Sequence, residues 1–219
     1  MANIKQLTFG GENAEAYFSF DGRQLIFQSK RDGRGCDQIY TMNVDGTGTR
    51  MVSNGDGRTT CSYFLKGGKR VLYASTHGGS KACPPNADFS KGYVWAVYPD
   101  YDIYTSTPDG KDIKPLIMSA GYDAEATVSP NGKKIVFTSE RDGDLELYSM
   151  DANGKNVKRL TNEVGYDGGA FFSPDSKRIV YRGSHPTTPE DIKLYRGLLA
   201  QHLIVPTTFE VWTMNADGS

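Results

Sequence analysis

Short apolar and aromatic runs alternate with tight polar turns along almost the whole chain. Four stretches align without gaps: YFSFDGRQLIFQS from Tyr17, YFLKGGKRVLYAS from Tyr63, TVSPNGKKIVFTS from Thr127 and FFSPDSKRIVYRG from Phe171. Each reads as a strand, a polar turn and a second strand rich in β-branched and aromatic residues. A third strand follows in every copy: QIYTMN from Gln38, DIYTST from Asp102, ELYSM from Glu146 and EVWTMN from Glu210. Next comes an Asp-Gly or Asn-Gly turn at Asp45-Gly46, Asp109-Gly110, Asn153-Gly154 and Asp217-Gly218. In the first three copies a fourth strand completes the unit, as TRMVS, IKPLIM and VKRLT.

Four antiparallel strands per unit, repeated, predict an all-β fold: a β-propeller of four-stranded blades, four in this chain. The turn positions 22, 68, 132 and 176 are spaced by 46, 64 and 44 residues. Blade boundaries follow at about 11–53, 57–119, 122–163 and 166–219. The second and fourth blades carry insertions between strands two and three, at 78–99 and 184–208. The last copy stops at Asp217-Gly218-Ser219, whereas Asn3-Ile4-Lys5-Gln6-Leu7-Thr8 reads like NVKRLT from Asn156. Residues 3–9 are therefore the expected outer strand of blade four, supplied by the same chain or by another copy.

Composition narrows the class of partner. The 219 residues are 37% hydrophobic with a formal net charge of -1, which gives no reason to expect nucleic acid or an anionic membrane. No apolar run reaches the roughly 18 residues of a membrane span. The opening MANIKQL does not read as a signal peptide. The 25 Gly and 13 Tyr suit a turn-rich β protein.

The words of the repeat are also familiar. SPNGKKIVFTSERDGDLELYSMDANGKNVKRLT, from Ser129, resembles the repeat of TolB-like propellers, and the likeness spans nearly the whole chain apart from the insertions. It implies a propeller, usually of six or more blades, in the bacterial periplasm or outside the cell. Function is implied only as a class, because the repeat serves scaffolds, enzyme-attached domains and a few enzymes.

In a propeller the first strand of each blade lines the central channel. Aligned first strands give one ring of Asn13, Thr59, Asp123 and Asp167, and a second of Glu15, Cys61, Glu125 and Gly169. The four acids near one channel mouth would repel unless water, a base or a cation sat among them. Such oxygen ligands suit Ca²⁺ or another divalent cation, although no ligand spacing is diagnostic and no cofactor is firmly predicted. The plainer expectation is that they accept backbone N–H bonds. At the end of strand two a further ring reads Arg31, His77, Arg141 and His185. These residues are candidates for an acidic ligand or a metal, or simply for packing beneath the neighbouring loops. The repeated Arg-Asp-Gly at 31–33 and 141–143 is read as turn chemistry.

The second insertion predicts one helix, with Thr188 as N-cap, Pro189 at its first position and Glu190 and Asp191 near its positive end. The first insertion, with Phe89, Tyr93, Trp95, Tyr98 and Tyr101, holds too much Gly and Pro for a helix. Both insertions should crowd one face, and loops carry function more often than scaffolds do. Cys36, Cys61 and Cys83 should point to that face as well, with Cys36–Cys83 or Cys61–Cys83 as candidate disulfides.

The expected function is that of a non-catalytic recognition scaffold. Its partner would be a protein or a small polar ligand or glycan, and the chain also reads as a candidate truncated or engineered piece of a larger propeller that closes or oligomerises through its terminal strands. The alternative is a metal-dependent enzyme on acidic polysaccharide, like the oligogalacturonate lyases, which use His-bound metal on a related propeller. That family's full His set cannot be matched here, since the chain has three His and His202 falls in the helical insertion.

Overall fold

A computed structural model describes residues 2–206 and 208–219, the side chain of Lys91 excepted. It shows four antiparallel blades around one axis. Blade one is β1 (Glu12–Phe18), β2 (Gln24–Lys30), β3 (Gln38–Asn43) and β4 (Arg50–Met51). Blade two is β5 (Thr59–Phe64), β6 (Val71–Ser75), β8 (Asp102–Ser106) and β9 (Lys114–Ile117), with β7 (Trp95–Ala96) inside its insertion. Blade three is β10 (Asp123–Val128), β11 (Lys134–Ser139), β12 (Glu146–Asp151) and β13 (Lys158–Arg159). Blade four holds β14 (Tyr166–Phe172), β15 (Arg178–Ser184) and β17 (Glu210–Asn215). Helix α1 (Pro189–Leu199) and β16 (Leu203–Ile204) lie between the last two of these strands.

The polar turns explain why these short runs fold locally. Ser19 Oγ donates to Asp21 Oδ1 at 2.6 Å while Arg23 N donates to the same oxygen at 3.1 Å. Ser173 and Asp175 repeat the device, as do Ser129 and Asn131. Such side-chain mimicry of a turn fixes the hairpin and therefore its register. Once pinned, strand two presents alternate residues to the two neighbouring blades: Val71 and Tyr73 pack towards blade one, Leu72 towards blade three. Burying both faces explains why these strands are apolar at nearly every position rather than at every second one.

The blades make a ring whose last joint is incomplete. Tyr17 of β1 touches Tyr63 of β5 and Phe171 of β14, with ring centroids 5.4 and 5.5 Å apart, so the inner strands converge at the axis. Blade four nevertheless has three strands, and the expected outer strand from residues 3–9 does not pair with β17. That segment packs on blade one instead. Leu7 joins the cluster of Leu25, Phe27, Tyr40 and Met42, and Lys5 Nζ donates to Asp45 O at 3.0 Å. Leu7 stands before the Gly46 turn as Leu116 stands before Gly154 and Leu160 before Gly218. Residues 3–9 thus hold the place of an outer strand relative to the blade after them, without joining a ladder among the described residues. Val211 on β17 stays 77% exposed as a result.

Candidate functional site

Every inner strand breaks its ladder at the same point. Register shifts fall between Ala14 and Tyr17, Thr60 and Tyr63, Ala124 and Thr127, and Gly168 and Phe171. At each bulge one residue takes a left-handed conformation: Glu15 (φ 53), Cys61 (φ 48), Glu125 (φ 58) and Gly169 (φ 59). For the three that carry a Cβ this costs on the order of 1–2 kcal/mol each. The bulge also re-aims the residue, and all four line a cavity of about 310 Å³ on the axis. The second ring read from the sequence is therefore brought together at one place.

Charge in this cavity is mixed. Glu125 accepts from Tyr166 Oη at 2.7 Å, from Gly169 N at 2.6 Å and from Tyr122 Oη at 3.2 Å. Glu15 accepts from Tyr17 Oη and is otherwise exposed. Arg182 of β15 lies 3.9 Å from Glu125 and spreads over the rings of Trp95, Phe209 and Tyr166 at 4.8, 5.3 and 5.7 Å. Burial, reinforced by Glu125 and Glu15, pushes the Cys61 thiol far up, which disfavours its thiolate form.

The other ring residues are latches within single blades. Arg141 Nη2 meets Asp123 Oδ1 at 2.9 Å, and Asp123 is fully buried. His185 Nε2 and Asp167 Oδ1 are 2.9 Å apart; burial raises the Asp167 carboxyl and His185 opposes the rise. Arg31 Nη2 donates to Asn13 Oδ1 at 3.1 Å, and His77 Nδ1 lies 2.7 Å from Ser75 Oγ. Each of the four also stacks on the strand-three aromatic. Arg31 and Arg141 lie 5.3 and 4.9 Å from Tyr40 and Tyr148, while His77 and His185 lie 4.0 and 5.5 Å from Tyr104 and Trp212. In blades one, three and four the latch thus ties strands one, two and three together at one end, whereas His77 in blade two reaches strands two and three. None of these four residues lines the axial cavity; His185 instead lines a cavity of about 710 Å³ between α1 and β17. The Asp32 and Asp142 carboxylates of the Arg-Asp-Gly turns accept from Tyr40 and Tyr148 Oη at 3.2 and 2.6 Å.

The two insertions do share a face, and they pair. β7 and β16 form a two-stranded ladder, Leu203 opposite Ala96 and Ile204 opposite Trp95. Val97 N donates to His202 O at 2.9 Å. With Tyr101, Tyr122, Tyr166 and Leu199 they build an apolar plug over the insertion-side mouth of the channel. Thr188 caps α1 by accepting from Asp191 N at 3.1 Å, and Tyr195 Oη anchors the helix to Asp144 and, at 2.7 Å, to Gly165 O. Cys36 and Cys83 form a disulfide joining blade one to the first insertion, and Cys61 is free.

Arg182 and Gln28, which also line the axial cavity, were not anticipated, and Trp95 was expected only as one of the loop aromatics. A signal existed for the first two. The strand-two position opposite the bulge holds Gln28, Ala74, Thr138 and Arg182 in the four copies, so a charged residue breaks the pattern once. Trp95 had no such marker, because the ladder that places it joins residues more than a hundred apart.

Comparison with known proteins bears out the TolB-like repeat. The TolB beta propeller domain family matches residues 96–194. The chain is similar to the crystal structure of TolB from Acinetobacter baumannii, with 22% identity and a TM-score of 0.67, over 97% of this chain and 43% of that one. It is similar also to the structure of putative TolB from Agrobacterium tumefaciens, with 20% identity and a TM-score of 0.66, over 93% of this chain and 61% of that one. Hydrazine synthase from Kuenenia stuttgartiensis matches at 15% identity and a TM-score of 0.59, over 78% of this chain and 29% of that one. The chain thus spans less than two thirds of each of these proteins, and the likeness shows the propeller fold. No curated protein sequence matches the chain.

Proposed function

We propose that this propeller is a non-catalytic recognition scaffold whose axial cavity receives a polar group of a protein partner, a glycan or a small ligand. The carrying observation is the bulge ring. Glu15, Cys61 and Glu125 all hold a strained conformation that aims them at one 310 Å³ cavity, and strain of this kind collects at functional sites. Two carboxylates and one guanidinium in a cleft with aromatic walls offer orientation and charge complementarity. Burial and the two carboxylates push the Cys61 thiol up and so disfavour the thiolate that acyl or group transfer would need. A periplasmic or secreted setting agrees with the Cys36–Cys83 disulfide, since such bonds persist in oxidising compartments.

The test is a screen of short peptides and oligosaccharides by ligand-observed NMR, with Glu15→Gln as the control. Ligands of this site lose their signal in the variant. Hits that ignore Glu15→Gln, or turnover of a uronate polymer by metal-supplemented protein, would refute the reading. The second outcome would favour the metal-dependent alternative at His77 and His185.

A further inference from the structure

The polar groups of the axial cavity divide into those already satisfied and those with bonding capacity to spare. Glu125 is satisfied: Tyr166 Oη, Tyr122 Oη and Gly169 N all donate to it, and Arg182 lies 3.9 Å away. Glu15 is not. Its Oε2 accepts from Tyr17 Oη, and its Oε1 has no donor among the described residues. Gln28 is half used. Cys61 N and Thr60 Oγ1 donate to its Oε1 at 3.2 and 2.9 Å. A backbone N–H can only donate, so this contact fixes the amide orientation and leaves Nε2 as a free donor. Arg182 turns Nε and Nη2 towards Tyr166 Oη at 3.4 and 3.1 Å, and its Nη1 has no acceptor among the described residues.

A free acceptor on an anion and free donors on a cation thus face the same space, since Glu15, Gln28 and Arg182 all line it. The two charges sense each other. Burial disfavours the Arg182 cation, Tyr166, Glu125 and Glu15 favour it, and the net shift of its pKa is upward. Yet Arg182 forms its ion pair with Glu125, not with Glu15, among the described residues. A simple amine would satisfy Glu15 and leave the Arg182 and Gln28 donors unmet. A simple carboxylate would do the reverse. A ligand carrying both groups would make charge-assisted bonds at each end.

Size and access narrow the ligand further. At 310 Å³ the cavity is small for a ligand site. The apolar plug that includes Val97, Tyr101 and Ile204 covers the insertion-side mouth, so a polymer cannot thread through. Tyr17, Tyr122 and Phe171 in the walls suit an apolar body. We propose that the axial cavity binds a small zwitterion, a free α-amino acid with an apolar side chain. Its ammonium group bonds Glu15 Oε1, and its carboxylate bonds Arg182 Nη1 and Gln28 Nε2. The proposal rests on the recognition function assigned to this cavity above and names its ligand class.

Isothermal titration of the whole chain at low salt compares L-leucine with its two half-molecules, isoamylamine, which lacks the carboxylate, and isocaproate, which lacks the ammonium. L-leucine should bind one-to-one and about tenfold or more tightly than either, because each half forfeits a charge-assisted bond. Glu15→Gln should weaken L-leucine about tenfold and leave isocaproate unchanged. Arg182→Met, which keeps the packing over Trp95 and Phe209, should weaken L-leucine by a similar factor and leave isoamylamine unchanged. Glu15 is exposed, so its variant guards against a folding defect at Arg182. Equal affinity for L-leucine and isoamylamine, or full L-leucine affinity in Glu15→Gln, would overturn the proposal. If L-leucine gives no heat while a peptide or oligosaccharide binds in a Glu15-dependent way, the ligand class falls and the recognition function stands. If no ligand of any kind depends on Glu15, both fall.

Discussion

The Cys36–Cys83 disulfide offers a prediction that can be worked from the chain itself. The bond closes a loop with a sequence separation of 47 and links two blades. Loop-closure entropy for that length is worth about 4 kcal/mol at 25 °C in the denatured-state model. For a chain of this size each kcal/mol moves the melting temperature by about 2–4 °C, so Cys36→Ser with Cys83→Ser should lower Tm by about 8 to 16 °C. Differential scanning calorimetry of the two proteins gives the shift. Mass spectrometry after alkylation in denaturant without reductant supplies an independent count, in which one thiol should react, that of Cys61. A Tm change within about 2 °C would show that the bond constrains neither state as argued, given that scale. Three alkylated thiols, or a tryptic Cys61–Cys83 pair, would refute the pairing itself.

Two further predictions concern the latches and the response to pH. Arg141→Ala leaves buried Asp123 without its cation and should cost about 3–5 kcal/mol. Arg31→Ala, facing neutral Asn13, should cost about 1 kcal/mol; urea unfolding of the pair checks the contrast, and equal losses would count against a charge-based latch in blade three. Asp102 has its carboxyl raised to about 6, first by burial and then by Asp123. Because the folded state holds that proton more tightly than the unfolded chain, stability from this site is present below about pH 4 and is lost as pH rises towards about 6. The Asp102→Asn variant should flatten the stability profile in that window, and an unchanged slope would exclude Asp102 as its source.

The blades were legible in the sequence because their causes are local. Alternating apolar runs, the Ser-x-Asp and Asp-Gly turns and the Thr188-Pro189 helix start each act within a few residues. Repetition then placed Glu15 and Glu125 on one ring, and Arg31, His77, Arg141 and His185 on another. What each ring faces could not be read this way. A bulge turns one residue by a conformation that Glu15 and Cys61 do not announce, since both are unfavourable in it. The strand-end ring is taken up by stacking on Tyr40, Tyr104, Tyr148 and Trp212, a contact between strands whose register comes only with the finished hairpins. The β7–β16 ladder and the seat of Leu7 before blade one depend on segments far apart in the chain. Strands, turns and repeat follow from short-range backbone chemistry and are written in the chain. Which charges are paired, which face a cavity and which strand edge stays open follow from the sum of contacts across blades, and so emerge with the folded ring.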